Sequence, residues 1–155
     1  MTHSLDAIEV VSFFVADHAD AVGGKVYVNG GFWNLLQSPT YPNVFPSIAV
    51  VAVLEVPFAE HHRDHKIEIG LRDEDWKPLP LKIEAGIRVG ADASKEHGEP
   101  SIVPFAANIV NVLIDFPGRY SFYLKVDGEE KASYVVKAIQ VPQVVQVGSP
   151  EANTE

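Results

Sequence analysis

The sequence of 155 residues contains no cysteine and a single methionine. Without cysteine the chain has no disulfide framework, no thiolate nucleophile and no cysteine-based zinc site. It also lacks an excess of basic residues, because 12 Lys and Arg are outnumbered by 21 Asp and Glu, and the formal net charge is -9. Such a chain does not supply the positive field that holds nucleic acid or anionic lipid, so the sequence predicts no nucleic-acid or membrane partner.

Long hydrophobic runs are also missing. No stretch approaches the roughly 18 apolar residues of a membrane helix, and the first six residues lack the basic and apolar parts of a signal peptide. We therefore predict a cytoplasmic protein. Glycine-rich phosphate loops before a helix and a nucleophile elbow are absent as well, so the sequence predicts no enzyme and no cofactor.

β-branched aliphatic residues dominate what is present, with 22 Val and 10 Ile against 9 Leu. These side chains suit a pleated, half-buried surface better than a helix. Short apolar runs separated by turn residues recur about eight times. Two of the runs, residues 47–56 and 105–116, are apolar on both faces and predict central strands covered on two sides.

Local patterns predict the other strands. Residues 8–16 predict a first strand ended by a polar turn region that contains residues 17–20, Gly23 and Gly24. Residues 25–36 predict a second strand that bends at Gly30 and Gly31. Further along the chain, two alternating segments predict an antiparallel pair, and the Asp127-Gly128 dipeptide predicts a tight hairpin turn. The alternating segments are residues 66–72 and 81–89, and the hairpin strands are residues 120–126 and 131–141.

Fully apolar strands beside half-apolar strands require two packed layers, because a single sheet would leave an apolar face in water. The sequence therefore predicts an all-β fold, an antiparallel two-sheet β-sandwich of about eight strands. An eight-stranded barrel is the alternative. Residues 1–147 are predicted to form this single domain, and residues 148–155 are predicted to be a disordered acidic tail.

Two resemblances accompany these patterns. Tyr120, just inside a strand after Pro117 and Gly118, resembles the tyrosine corner of immunoglobulin-like sandwiches. Residues 116–128 are likewise similar to the closing hairpin of bacterial immunoglobulin-like modules. This resemblance implies an immunoglobulin-like fold and no chemistry.

More of the chain resembles a family of uncharacterised proteins, known mainly from actinobacterial genomes, whose members are single small domains. The stretches that carry the resemblance are residues 16–21 with 24–27, 30–33, 65–75 and 116–128. At the second hairpin the usual Asp-Gly of the family is Asp75-Trp76 here, which argues against a tight turn at that point. The resemblance implies no activity, because the family has no assigned function.

Histidines are densest in the loop that follows residue 57. His61, His62 and His65 lie close together, and on a helical turn His61 and His65 at i and i+4 could share a metal ion. A third ligand would come from another loop, such as the one that contains Asp17, His18 and Asp20. A polar surface loop without any ion explains the same residues.

One turn is strongly acidic. Asp73, Glu74 and Asp75 are three neighbouring carboxylates of the kind that some sandwiches use to bind calcium. Their spacing matches no calcium-loop pattern, and a solvated turn is the alternative.

Large aromatic side chains occur in or beside loops, where they often anchor an interface. Tyr41, Phe45, Phe58 and Trp76 are the candidate partner contacts, and we expect Tyr41 and Trp76 to be exposed. Trp33 lies inside a predicted strand and is expected to be buried in the core.

From these observations we predict a non-enzymatic β-sandwich module that binds a protein partner or a second copy of itself. The contact would use a sheet edge or a loop rich in proline and aromatic residues. The alternative is a domain that binds a small ligand or a metal ion through the His61–His65 loop or the Asp73–Asp75 turn. A hydrolase is a third and weaker possibility.

Overall fold

The computed structural model describes residues 7–90, 96 and 98–143, so the predicted tail over residues 148–155 lies outside it. The described residues form nine strands and one 3-10 turn, Phe58–Glu60. No helix among the described residues is long and apolar enough to cross a membrane. The strands are β1 (Glu9–Val22), β2 (Lys25–Gly31), β3 (Leu35–Ser38), β4 (Asn43–Val56), β5 (His65–Asp73), β6 (Pro78–Ile87), β7 (Ser101–Ile114), β8 (Gly118–Val126) and β9 (Glu129–Gln140).

The strands form two sheets. The first sheet has the order β2-β1-β4-β7, and the second sheet has the order β3-β9-β8-β5-β6. Ile48 and Leu54 from the first sheet and Phe122 from the second are fully buried members of one main core. The predicted all-β architecture with two sheets is therefore confirmed, and the second sheet curls like half a barrel.

Both hairpins predicted in the second sheet are confirmed. β5 and β6 pair antiparallel, with Ile69 opposite Ile83. β8 and β9 also pair antiparallel, and the turn between them has positive φ at Asp127 and Gly128. A turn with positive φ at both residues has a twist that matches the twist of the flanking strands, and Asp-Gly favours these φ values. The dipeptide alone therefore predicts the turn correctly.

The predicted single strand over residues 25–36 is wrong, because the chain changes sheets within it. Gly30 and Phe32 adopt left-handed φ values of 61° and 65°, and β2 ends between them at Gly31. β3 then joins β9 in parallel, with Leu35 opposite Lys137. The second sheet is consequently mixed, whereas the sequence predicts wholly antiparallel pairing.

The predicted end of the first strand after Ala16 is wrong, since β1 continues through residues 17–20 to Val22. Of the predicted turn region, Gly23 and Gly24 are correct. The turn falls at Gly23 and Gly24, whose φ values of 59° and 75° suit a two-residue hairpin turn. β1 pairs with β4 only as far as Ala16, which lies opposite Ala49. Beyond that point its partner is β2, so residues 17–31 form a hairpin that we call the β1–β2 arm.

The β1–β2 arm packs on the outer face of the first sheet. Asn108 of β7 holds it there, because its Nδ2 donates to the Ala19 carbonyl oxygen at 2.7 Å and its Oδ1 accepts from the Ala19 N–H at 3.2 Å. A second core lies beneath the arm. Its buried members are Phe14, Ala16, Ala19, Ala49 and Val51, with Val26, Val28 and Ala106 packed against them.

The arm explains why two strands are apolar on both faces. β4 lies between β1 and β7, so its predicted central position is confirmed. The predicted central position of residues 105–116 is wrong, because β7 is an edge strand. Apolar residues on both faces of a strand indicate that other layers pack above and below it. They do not indicate whether another strand pairs with it along each side.

We expect Asn108→Ala to destabilise the fold by about 1–3 kcal/mol, because it leaves the backbone N–H and C=O of Ala19 unpaired. Urea unfolding measures the loss, and hydrogen exchange should show faster opening of the β1–β2 arm. Asn29→Ala on the exposed side of the arm is the matched control, with an expected change within about 0.5 kcal/mol. Equal losses for the two variants would contradict the role of Asn108.

Candidate functional site

His65 is the buried member of the predicted histidine cluster, at 6% exposure. Its Nδ1 lies 2.7 Å from Oδ2 of Asp127 in the β8–β9 turn. Its Nε2 lies 3.1 Å from the carbonyl oxygen of Glu60 and 3.4 Å from the Oε2 atom of that residue. The imidazole thus connects the 3-10 turn, the start of β5 and the β8–β9 turn.

The surroundings of His65 favour its charged form. Burial lowers the pKa of His65, but the hydrogen bond with Asp127 and the one with Glu60 outweigh this effect and raise the pKa above its usual value. The hydrogen bond with His65 in turn lowers the pKa of the Asp127 carboxyl, against a smaller opposing effect of burial. The imidazolium–carboxylate pair therefore persists to higher pH than an isolated histidine would allow.

The other two histidines do not join His65. The Nε2 atom of His61 lies 3.2 Å from the carbonyl oxygen of Val56, and its ring packs edge-on against Phe58. His62 has a left-handed φ of 63°, and its N–H donates to the Val89 carbonyl oxygen. Within the described ranges, no group of three or more His, Asp or Glu side chains could hold a metal ion.

The loop proposed to supply a third ligand also differs from expectation. His18 and Asp20 lie in β1 rather than in a loop, and Nε2 of His18 is 3.0 Å from Oδ2 of Asp20. The metal site of His61, His62 and His65 therefore stays a prediction without an assembled ligand set in the described chain.

The acidic turn is built around one carboxylate. Oδ1 of Asp73 accepts from the N–H groups of Asp75 and Lys77, each at 2.9 Å. Trp76 adopts a left-handed φ of 63°, and its N–H donates to the Asp73 carbonyl oxygen. A tight turn therefore forms without glycine, and one oxygen of the predicted calcium site is occupied by backbone donors.

Trp76 covers a buried arginine. The guanidinium carbon of Arg72 lies 3.8 Å from the centre of the Trp76 ring, and the guanidinium forms a bidentate ion pair with Glu130. The indole itself is 69% exposed, in agreement with the expectation for this residue. Stacking on the arginine explains how a bulky residue is held in a backbone conformation that favours glycine.

The remaining candidate contacts differ in exposure. Tyr41 is half-buried, and its hydroxyl donates to the Ile139 carbonyl oxygen at 2.8 Å, so its expected exposure is wrong. Phe45 is also half-buried and packs against the main core. Phe58 is exposed, although its ring contacts His61. Phe58 and Trp76 are thus the members of this set that remain accessible.

Sequence reasoning missed an exposed apolar sheet edge in the described part of the chain. β7 borders the first sheet over 14 residues, and none of them is charged. Ile102, Val110 and Leu113 are about half exposed or more. The other outermost strands are protected in known ways, since β2 contains Lys25, β6 contains charged residues, and β3 has only four residues. We call the side of β7 that faces away from β4 the β7 edge.

An apolar groove runs beside the β7 edge. It has a volume of about 380 Å³ and lies between β6 and β7, lined by Leu71 and by residues 79–83 and 109–113. Asn111 in its wall has a left-handed φ of 55°, and the β4–β7 register is the same at Val110 and at Val112 on either side of it. Most of the lining side chains are apolar, and Lys82 is the one charged residue among them.

These features define the class of the protein as a small all-β protein of two sheets that presents an uncharged sheet edge. Residues 11–139 match the family of unknown function DUF6941, and the chain belongs to that family. The resemblance to an uncharacterised family is thus confirmed. No curated protein matches the chain.

Solved structures offer only distant likenesses. One is the alkylpurine DNA glycosylase AlkC of Pseudomonas fluorescens bound to DNA containing an abasic site analog, with 10% identity and a TM-score of 0.46 over 84% of this chain and 30% of that one. Another is a mutant beta-glucosidase from Listeria innocua in complex with laminaribiose, with 11% identity and a TM-score of 0.44 over 88% of this chain and 16% of that one. The chain spans less than a third of either protein, and these likenesses carry no argument about function.

We expect the His65–Asp127 pair to stabilise the fold in a pH-dependent way. The folded pKa of His65 is raised, so its contribution is fully present below its unfolded value of about 6.5 and is lost as the pH rises through the folded pKa. His65→Gln should therefore cost more stability at about pH 6 than at about pH 9 in urea unfolding. Asp127→Asn completes a double-mutant cycle, and a coupling energy that does not change with pH would contradict the charged pair.

Proposed function

We propose that this protein is a non-enzymatic interaction module whose β7 edge pairs with a strand of a protein partner. The proposal rests on the β7 edge, because the strand is long and carries no charged residue. A long edge strand without charge is a ready template for strand addition, and the one proline of β7, Pro104, lies near its start. The apolar groove beside it offers room for side chains of an added strand.

The partner that this surface fits best is a second copy of the chain. Antiparallel pairing of β7 with itself about a two-fold axis would bring uncharged residues against uncharged residues. Elsewhere the net charge of -9 opposes association between copies. Pro104 lacks an N–H and Asn111 has a left-handed φ of 55°, so the regular part of the pairing would cover residues 105–110.

We also propose that the fold is a variant of the immunoglobulin-like class. Its support is the hydroxyl of Tyr120, which donates to the Phe116 carbonyl oxygen at 2.7 Å in the manner of a tyrosine corner. A cytoplasmic location remains part of the proposal and is supported by the lack of cysteine.

Native mass spectrometry and light scattering of the full chain test the self-pairing. We expect the wild type to form dimers and Val110→Lys to form monomers, because the change adds a charge to the paired part of the β7 edge. Val135→Lys is the matched control, because Val135 is 49% exposed on β9, which lies inside the second sheet.

Two outcomes would contradict this proposal. If the wild type stays monomeric at every concentration tested, a second copy of the chain is not the partner. A dimer that survives Val110→Lys, or one that Val135→Lys dissociates equally well, assigns the interface to another surface.

A further inference from the structure

The apolar groove between β6 and β7 leads from the surface to the main core. Each of the two strands is the outermost strand of its sheet. Leu81 and Ile83 of β6 and Ile109 of β7 line the groove, and all three are half-buried and pack against the main core. A side chain that fills the groove would therefore cover apolar surface that the fold itself leaves partly exposed.

Pairing of the β7 edge alone is too small for a stable interface. Its regular part, residues 105–110, contributes six residues from each copy, whereas a standard interface uses about 20–30 residues a side. A stable dimer therefore has to cover more surface than the paired strands. The groove lies next to this edge and is apolar, so it is the surface into which the interface should extend.

The alternation of side chains along β7 limits how two copies can pair. Phe105 and Ile109 pack against the main core, whereas Asn108 holds the β1–β2 arm on the outer face. Residues directly opposite each other in an antiparallel pair point to the same face, so the two-fold axis passes through a residue position. An axis at Ala107 sets Phe105 opposite Ile109, an aromatic and β-branched pair of the kind that stabilises sheets. An axis at Asn108 sets Phe105 opposite Asn111, whose left-handed φ of 55° departs from the strand conformation.

We propose that two copies pair about an axis at Ala107 and that Phe105 of each copy fills the groove of the other. The Phe105 ring then contacts Ile109 across the strand pair, and it contacts Leu81 and Ile83 on β6 of the second copy. The two-fold axis forms each of these contacts twice. This inference rests on the proposed function and adds to it a register, an anchoring side chain and a role for β6.

Cysteine cross-linking of the full chain tests the register, because the chain has no cysteine of its own. With the axis at Ala107, the two copies of this residue lie opposite each other at a Cα separation of about 4.5–5.5 Å, which a disulfide can span. Ala107→Cys should therefore give a covalent dimer on oxidation in air. Ala106→Cys is the matched control, because its two copies are offset along the strands beyond the reach of a disulfide and should stay unlinked.

Two alanine variants of β6 test the groove. Ile83→Ala removes part of the groove wall and should weaken dimerisation about tenfold in analytical ultracentrifugation. Ile87→Ala is the matched control on the same strand, because Ile87 is also half-buried against the main core but is not part of the groove lining. It should dimerise as the wild type does. Thermal unfolding shows whether each variant is folded.

The outcomes separate this inference from the proposed function. A monomeric wild type overturns both. If the wild type is a dimer that Val110→Lys dissociates, the proposed function stands. In that case, a lack of cross-linking by Ala107→Cys, equal cross-linking by Ala106→Cys, or equal effects of the two isoleucine variants overturns this inference alone.

Discussion

The departure of β1 from β4 after Ala16 is the constraint on which the first sheet depends. Past this residue β1 is paired to β2, and the Asn108 amide fastens the β1–β2 arm to the outer face of the sheet. The arm gives β4 and β7 their second apolar cover, and a cavity lined in part by Asp17 and Trp33 lies where the two strands diverge. A single change of pairing partner thus produces a second core and an opening in the first sheet.

The second sheet is organised differently, because charged contacts hold its turns. His65 connects the 3-10 turn to Asp127, and the Arg72–Glu130 pair lies beneath Trp76. Burying a charge is costly unless it is paired and hydrogen-bonded, and here both buried charged side chains have such partners. Their hydrogen-bonding capacity is used within the fold, which leaves the uncharged features of the first sheet as the stronger candidates for binding.

Sequence reasoning worked where the signal is local and failed where two distant segments decide the outcome. Alternation over residues 66–72 and 81–89 identified β5 and β6, because more buried and more exposed side chains alternate along β6 and along the first half of β5. The same reasoning treated residues 25–36 as one strand, although left-handed φ values at Gly30 and Phe32 move the chain to the other sheet. The candidate ligands His61 and His65 are close in sequence, yet their rings bind different backbone oxygens.

By itself, the sequence determined the all-β class, the place of the Asp127-Gly128 turn and the lack of charge along β7. These properties depend on side-chain type and on φ preferences of neighbouring residues, so a short stretch of sequence is enough to predict them. Only the tertiary structure decided that β7 is an edge strand and that Asp17 and Trp33 line one cavity. Both facts depend on which strands pair across long sequence separations, and hydrophobic pattern does not specify strand order.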